Sequence, residues 1–452
     1  MRRSGGALNP LLNSKLIPWR KIEGHWRDDD FTSTLRGYDG RGESEFSMNA
    51  VRRQFFLSYA VIGSVMPLMT VFLKEKGDFS FFQIGLAMSL MSIPMLCSPV
   101  LITLLADRNV DARKILGVAF LCSATVLSLI FASTSITLTL ILFVFHGLAF
   151  MSMLPLQDGY YFSLAEDSKK AGAAVLEYPL VRVWGTIGFI LPSLILYVPL
   201  ARGATAAAII PCAVGFCLLS VANSFTLSPV TRPLPSRNGN LPTREALKAI
   251  FAPNARWLSI GLFFGFMAAS SYYAFIGNYL DERVGISKKS IGLIINIGVI
   301  LEIGCTIMIP QMQRLIHLKG IMVLGLSCMV ARMLALALFP SPTVAVLAQI
   351  GHGFEVIALY IGPVMFLNRL ASDQFRNSIQ GVFTMAIGGT ARVIGGVAAG
   401  AVAASYGLTA VLYWGAGLAT CSLLIIAFLF SRIPPKEENE NPEFEVSSAE
   451  AS

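Results

Sequence analysis

The sequence predicts an all-α membrane protein: twelve transmembrane helices in two six-helix pseudo-repeat halves. Three observations carry this. Apolar residues make up 54% of the chain and charged ones only 14%, with a mean hydropathy of +0.65, well beyond a soluble composition. The apolar residues gather into runs of about 18 or more, each able to cross a hydrocarbon core of ~30 Å. The runs divide six and six about a polar stretch, and a motif in the first six recurs in the second.

In order, residues 1–50 read as a polar cytoplasmic tail, with Asp28, Asp29 and Asp30 among basic residues and no apolar signal core. The first part of the tail, with Arg2, Arg3, Lys15, Arg20 and Lys21 and no acid, would also suit an organellar targeting peptide. Twelve spans follow at 52–73, 80–105, 114–132, 138–163, 177–199, 204–227, 255–279, 289–313, 320–339, 343–368, 376–403 and 408–431. They group into an N-terminal half, 51–228, and a C-terminal half, 255–432. The Pro-, Asn- and Arg-rich stretch 229–254 reads as a cytoplasmic linker, and 433–452 as an acidic tail. With the N-terminus inside, about fourteen basic residues fall in inner loops against about six outside, which predicts both termini cytoplasmic in a cell inner or plasma membrane. The same rule accounts for the net charge of +8 without nucleic acid. The seven cysteines all lie within spans and lack metal-type spacing, so they read as small core residues.

The repeat shows at Phe145-His146-Gly147-Leu148-Ala149 in the fourth span and Gly351-His352-Gly353-Phe354-Glu355 in the tenth, where the histidines are 206 positions apart. Two halves related by a parallel repeat place a solute site at their interface near the midplane, the architecture of major facilitator transporters. The repeat is also an internal control. His146 has Ala149 where His352 has Glu355, so the first histidine reads as structural and the second as the one with a partner.

An ionisable group in the middle of a membrane helix costs ~2.5–3.5 kcal/mol even on the mild insertion scale, and so marks a candidate site. Setting loops aside leaves Asp158, Arg182, Glu302, Arg332, His352, Glu355 and Arg392, with Glu177 at an entrance. Asp158 and Arg182 lie at similar depth on adjacent antiparallel helices, close enough to meet. They could hydrogen-bond substrate hydroxyls, or Arg182 alone could bind a carboxylate. Phe189, two turns beyond Arg182, shares its face and could stack on a ring. In the second half Glu302, Arg332 and His352/Glu355 occupy successive spans. Burial disfavours a charged carboxylate and a cation favours it, so a movable Arg332 could switch Glu355 between holding and releasing a proton. Between the second and third spans, Asp107, Arg108 and Arg113 form a charged turn suited to a gate. Arg392, among glycines, has no direction that the sequence settles. No enzymatic motif, cofactor site or metal-ligand set accompanies these residues.

These residues resemble a known family. Residues 290–410 look like the second half of the lactose permease group of proton symporters, and the likeness extends more weakly over 52–430. Gly-x-x-Leu-Glu302, Arg332 and His352-x-x-Glu355 follow the order of that group's proton-coupling residues. The resemblance implies Glu355 as proton carrier, Arg332 as its modulator, His352 as the link toward substrate and Glu302 as the carboxylate joining substrate binding to proton transfer. Arg182-Val-Trp184-Gly185-Thr-Ile-Gly188-Phe189 is similar to the signature of phenylpropionate- and nucleoside-type relatives, and the charged turn to the major facilitator loop signature.

Three departures point away from a galactoside. Phe189 stands where the permease has a tryptophan, Gln349 replaces a lysine whose aspartate partners are absent from Ser271 to Ala274, and Asp158 is one methylene shorter than the permease's glutamate. The expected function is proton-coupled symport of a small polar organic solute, such as a sugar or nucleoside, by a monomer in the lipid bilayer. Carboxylate transport through Arg182, efflux by proton exchange and a non-transporting sensor are the alternatives.

Overall fold

The computed structural model describes residues 42–77, 79–97, 111–151, 153–170, 177–229, 243–253, 255–370 and 376–430. Within them the chain is helical, and each of the twelve predicted spans contains an apolar helix. Ten are long and apolar enough to cross a membrane, and the first span is a bent pair, Met48–Val65 and Met69–Lys76, meeting at 44°. Pro67 sits in that bend, where it removes one backbone donor and clashes with the preceding turn. The second span is the shorter apolar helix Phe81–Leu96, whose predicted continuation lies outside the described residues.

Local chemistry sets the helix ends. Ser80 opens the second span with a reciprocal cap: its hydroxyl accepts from the Gln83 amide, and its own amide donates to the Gln83 side chain. Asp111 caps the third span and Ser341 the tenth. Gly407, at φ 84, turns the chain between the last two spans. The eighth span ends in a helical extension from Ile309 up to His317, whose φ of 55 marks the turn into the ninth. The stretch expected to be linker also contains a helix, Thr243–Ile250, which docks on Arg376–Phe383 at the start of the eleventh span, burying Ala246 and Ile250.

The packing repeats with the sequence. In the first half, span one packs on five and six, three on four and six, and two on four; in the second, seven packs on eleven and twelve, nine on ten and twelve, and eight on ten. The halves meet where two crosses eleven and five crosses eight, two seams that the same repeat interconverts. At the first, Gly85 lies so close to span eleven that a Cβ there would stand 2.5 Å from the Gly396 carbonyl oxygen. At the second, Asn296 donates to the Ile190 carbonyl at 3.2 Å. Beyond these seams, where the first span ends and the eighth begins, Lys288 forms an ion pair with Glu75, whose other oxygen accepts from the Ala206 amide at 2.6 Å.

Candidate functional site

The tenth span departs from regular winding around its charged residues. A 3-10 turn, Ala348–Gly351, precedes the α-helical turn His352–Val356, and a π-helical turn, Ile357–Ile361, follows it. Such changes of pitch re-aim side chains and recur at functional sites. Small residues bring the neighbouring spans close: Gly353 packs against the backbone of Glu302, where a Cβ would lie 2.9 Å from its Cα.

The result is a connected cluster. Arg332 Nη1 lies 2.9 Å from Glu355 Oε2 and 3.3 Å from His352 Nδ1. Tyr273 donates its hydroxyl hydrogen to Glu355 Oε1 at 3.0 Å, and its oxygen lies 3.1 Å from the same His352 Nδ1. His352 Nε2 faces Glu302 Oε2 at 3.6 Å, beyond hydrogen-bond length. The guanidinium of Arg332 rests on the Tyr272 ring, 4.0 Å from its centroid. Side-chain exposure falls along the cluster from 33% at Glu302 to 12% at His352 and 1% at Glu355, with Arg332 at 2%. One end is wet and the other sealed.

Two features make this arrangement switchable. The Arg332–Glu355 contact is close without being a directed hydrogen bond: Glu355 Oε2 accepts none and Arg332 Nε donates none. A buried ion pair lacking full hydrogen bonding is weakly stabilising at best, because desolvation offsets its attraction. His352 Nδ1 has two neighbours and can serve one at a time. Protonated, it donates to the Tyr273 oxygen; bare, it accepts from Arg332. His146, the counterpart in the first half, is fully buried, bonds Ser123 through Nδ1 at 3.2 Å and stacks on Phe150, with no carboxylate paired to it among the described residues.

In the first half, Asp158 and Arg182 come near each other but form no ion pair. Tyr178 donates to Asp158 Oδ1 at 2.9 Å, and the Arg182 guanidinium lies on the Tyr59 ring, 4.1 Å from its centroid. Two tyrosines thus take up the contacts that charge and depth alone would give the pair. Tyr161, Phe162 and Tyr178 form an aromatic cluster beside Asp158, with centroids 5.0 to 5.2 Å apart. Phe189 is half-buried and enters no ring pair among the described residues; its backbone carbonyl packs against Gly63 of the first span. Of the charged turn, Asp107 and Arg108 lie outside the described residues. Arg113 pairs with Asp111 at 2.6 Å and donates to the Leu227 carbonyl at 3.2 Å, both within its own half. Sequence reasoning missed Tyr59, Tyr272 and Tyr273. The signal for Tyr272 and Tyr273 was a tyrosine pair in an apolar span, where each hydroxyl needs a partner; Tyr59, a single tyrosine, carried no such signal.

Residues 49–437 match the nucleoside H+ symporter family. The chain belongs to this family. As a nucleoside H+ symporter family member it is a proton-coupled membrane transporter, not an enzyme. It is 22% identical to the nucleoside permease NupG of Escherichia coli (strain K12) over 380 residues, 79% of this chain and 88% of that one. The xanthosine permease of the same organism is 22% identical over 395 residues, with the same coverage of each chain. Among solved structures, the nucleoside transporter NupG superposes with a TM-score of 0.73 at 20% identity, covering 85% of this chain and 99% of that one. The human organic anion transporter MFSD10 gives 0.55 at 16%, over 85% and 99%. These likenesses establish the major facilitator fold in this symporter.

Proposed function

We propose that this chain imports nucleosides with protons into the compartment that holds both its termini. The observation that carries the proposal is the connected path Glu302, His352, Tyr273, Glu355, with Arg332 against its buried end. The half-exposed Glu302 receives the proton, and His352 passes it from one ring nitrogen to the other. Tyr273 hands its own hydrogen to Glu355 Oε1 while taking one from Nδ1, a concerted transfer that leaves no charge on the phenol. Neutral Glu355 no longer compensates Arg332. That guanidinium, 2% exposed, must then find other acceptors, which shifts the ninth span against the tenth. Protonation so biases one bundle arrangement over the other, the requirement for alternating access.

Nucleosides suit the polar and aromatic side chains of the first half. Asp158 accepts hydrogen bonds from ribose hydroxyls, Arg182 donates to acceptors, and the rings at Tyr178, Phe162 and Tyr59 offer faces for a base. The matched relatives transport nucleosides, which favours this class over sugars. One proton moving inward across 100 mV supplies ~2.3 kcal/mol, enough for roughly 50-fold accumulation. Proteoliposomes given an inward proton gradient should concentrate labelled uridine or inosine and lose it on adding a protonophore. Uptake that ignores the gradient would refute the coupling, and absence of any nucleoside uptake would refute the substrate class.

A further inference from the structure

Arg392 takes no part in the path above, and its surroundings are those of a ligand site. It lies in the eleventh span, just beyond a π-helical turn, Thr384–Gly389, and its backbone carbonyl accepts from Ser270 of the seventh span at 3.0 Å. Its Nη2 donates to the Tyr360 hydroxyl at 3.0 Å, and its Nη1 lies 3.0 Å from the Met95 sulfur. This side chain of span eleven reaches spans two, seven and ten, and so sits between the halves. No carboxylate comes within ion-pair distance of it among the described residues. Of five guanidinium donors, one is spent on a phenol and one on a thioether, which is a weak acceptor. A cation used only to tie helices together would have strong acceptors around it.

The aromatic setting points the same way. The guanidinium lies 5.7 Å from the Phe266 centroid and 5.6 Å from that of Tyr360, and the two rings meet edge to face. This mirrors the first half, where Arg182 of span five lies over Tyr59 of span one. Arg182 and Arg392 are 210 positions apart, and Tyr59 and Phe266 are 207, close to the spacing of the sequence repeat. Both halves therefore present an arginine, braced on a ring, at equivalent places. Because Tyr360 accepts from Arg392, its own hydroxyl hydrogen remains free to donate. Donors predominate at the site, with three guanidinium hydrogens and the phenol hydrogen unspent, so it suits a ligand edge made of acceptors.

Resting on the nucleoside reading, we infer that Arg392 and Tyr360 bind the acceptor edge of the base and select 6-oxopurine nucleosides over adenosine. A 6-oxopurine presents O6 and N7 side by side to a guanidinium fork; adenine presents an amino donor beside N7, setting N–H against N–H. Glutamine has the opposite preference, since its amide pairs with adenine N6 and N7.

Calorimetric titration of the purified full-length protein with inosine and with adenosine tests this. The wild type should bind inosine at least ~5-fold more tightly than adenosine. Arg392→Gln should move that ratio toward adenosine by ~5- to 100-fold. Arg392→Lys, which keeps the charge but lacks the fork, should lose inosine preference without gaining adenosine affinity. An inosine-to-adenosine ratio within ~2-fold of wild type in whichever variant folds overturns the assignment of Arg392 while leaving the nucleoside reading intact. A wild type that binds neither nucleoside overturns both.

Discussion

Replacing Tyr273 with phenylalanine removes one oxygen and leaves the ring, so it probes the relay with little change in packing. The ring keeps its edge-to-face contacts with Tyr272 and His352, at centroid separations of 5.3 and 6.2 Å. What is lost is the bridge between His352 Nδ1 and Glu355 Oε1, at 3.1 and 3.0 Å. A hydrogen bond to a charged group contributes ~1.5–3 kcal/mol, and the proton must then cross from Nδ1 to the carboxylate without an intermediary. At ~1.4 kcal/mol per decade, gradient-driven nucleoside accumulation should slow by roughly 10- to 100-fold. Equilibrium exchange of labelled for unlabelled nucleoside needs no net proton movement and should stay within ~3-fold of wild type. Both rates are measured in the same proteoliposomes, with and without a pH gradient. Wild-type accumulation by Tyr273→Phe, or equal loss of accumulation and exchange, would refute the relay.

Other perturbations probe other parts. Gly85→Val puts a side chain where a Cβ alone would stand 2.5 Å from a backbone oxygen, so the seam between spans two and eleven cannot close; transport should fall at least ~10-fold while detergent-solubilised protein still binds nucleoside. Lys288→Met removes the ion pair to Glu75 where the first span ends and the eighth begins; because both side chains are partly exposed, the shift in conformational balance, read by labelling of cysteines introduced there, should be no more than ~5-fold. His146→Asn should leave coupling within ~2-fold of wild type, since its neighbours are Ser123 and Phe150, whereas His352→Asn should uncouple transport.

The parts of this fold that the sequence made legible are those where an energetic penalty stands out. Charges are so costly in apolar spans that Glu302, Arg332, His352 and Glu355 were conspicuous, and the structure brings all four together. Tyr273 was not conspicuous, because tyrosine is at home in an apolar span and only its hydroxyl's partners distinguish it. The same residue type changed the first half, where Tyr178 and Tyr59 occupy the contacts expected between Asp158 and Arg182. The irregular winding of the tenth span leaves no mark in hydropathy, since a single 3-10 or π-helical turn inside an apolar run changes where side chains point without changing the run's composition. The turn at His317 was placed within the expected gap between spans eight and nine, but the helix around it was longer than hydropathy alone suggests. Arg392, undirected in the sequence, acquires a direction only once spans two, seven and ten are seen around it.

The central claim is that Glu355 carries the proton that drives uptake, and it is tested most directly by proton movement itself. When nucleoside is added to a weakly buffered suspension of proteoliposomes without an imposed gradient, the wild type should alkalinise the medium as protons enter with solute. Glu355→Gln, permanently neutral at that position, should exchange nucleoside yet produce no alkalinisation. Alkalinisation at wild-type extent by Glu355→Gln would contradict the account.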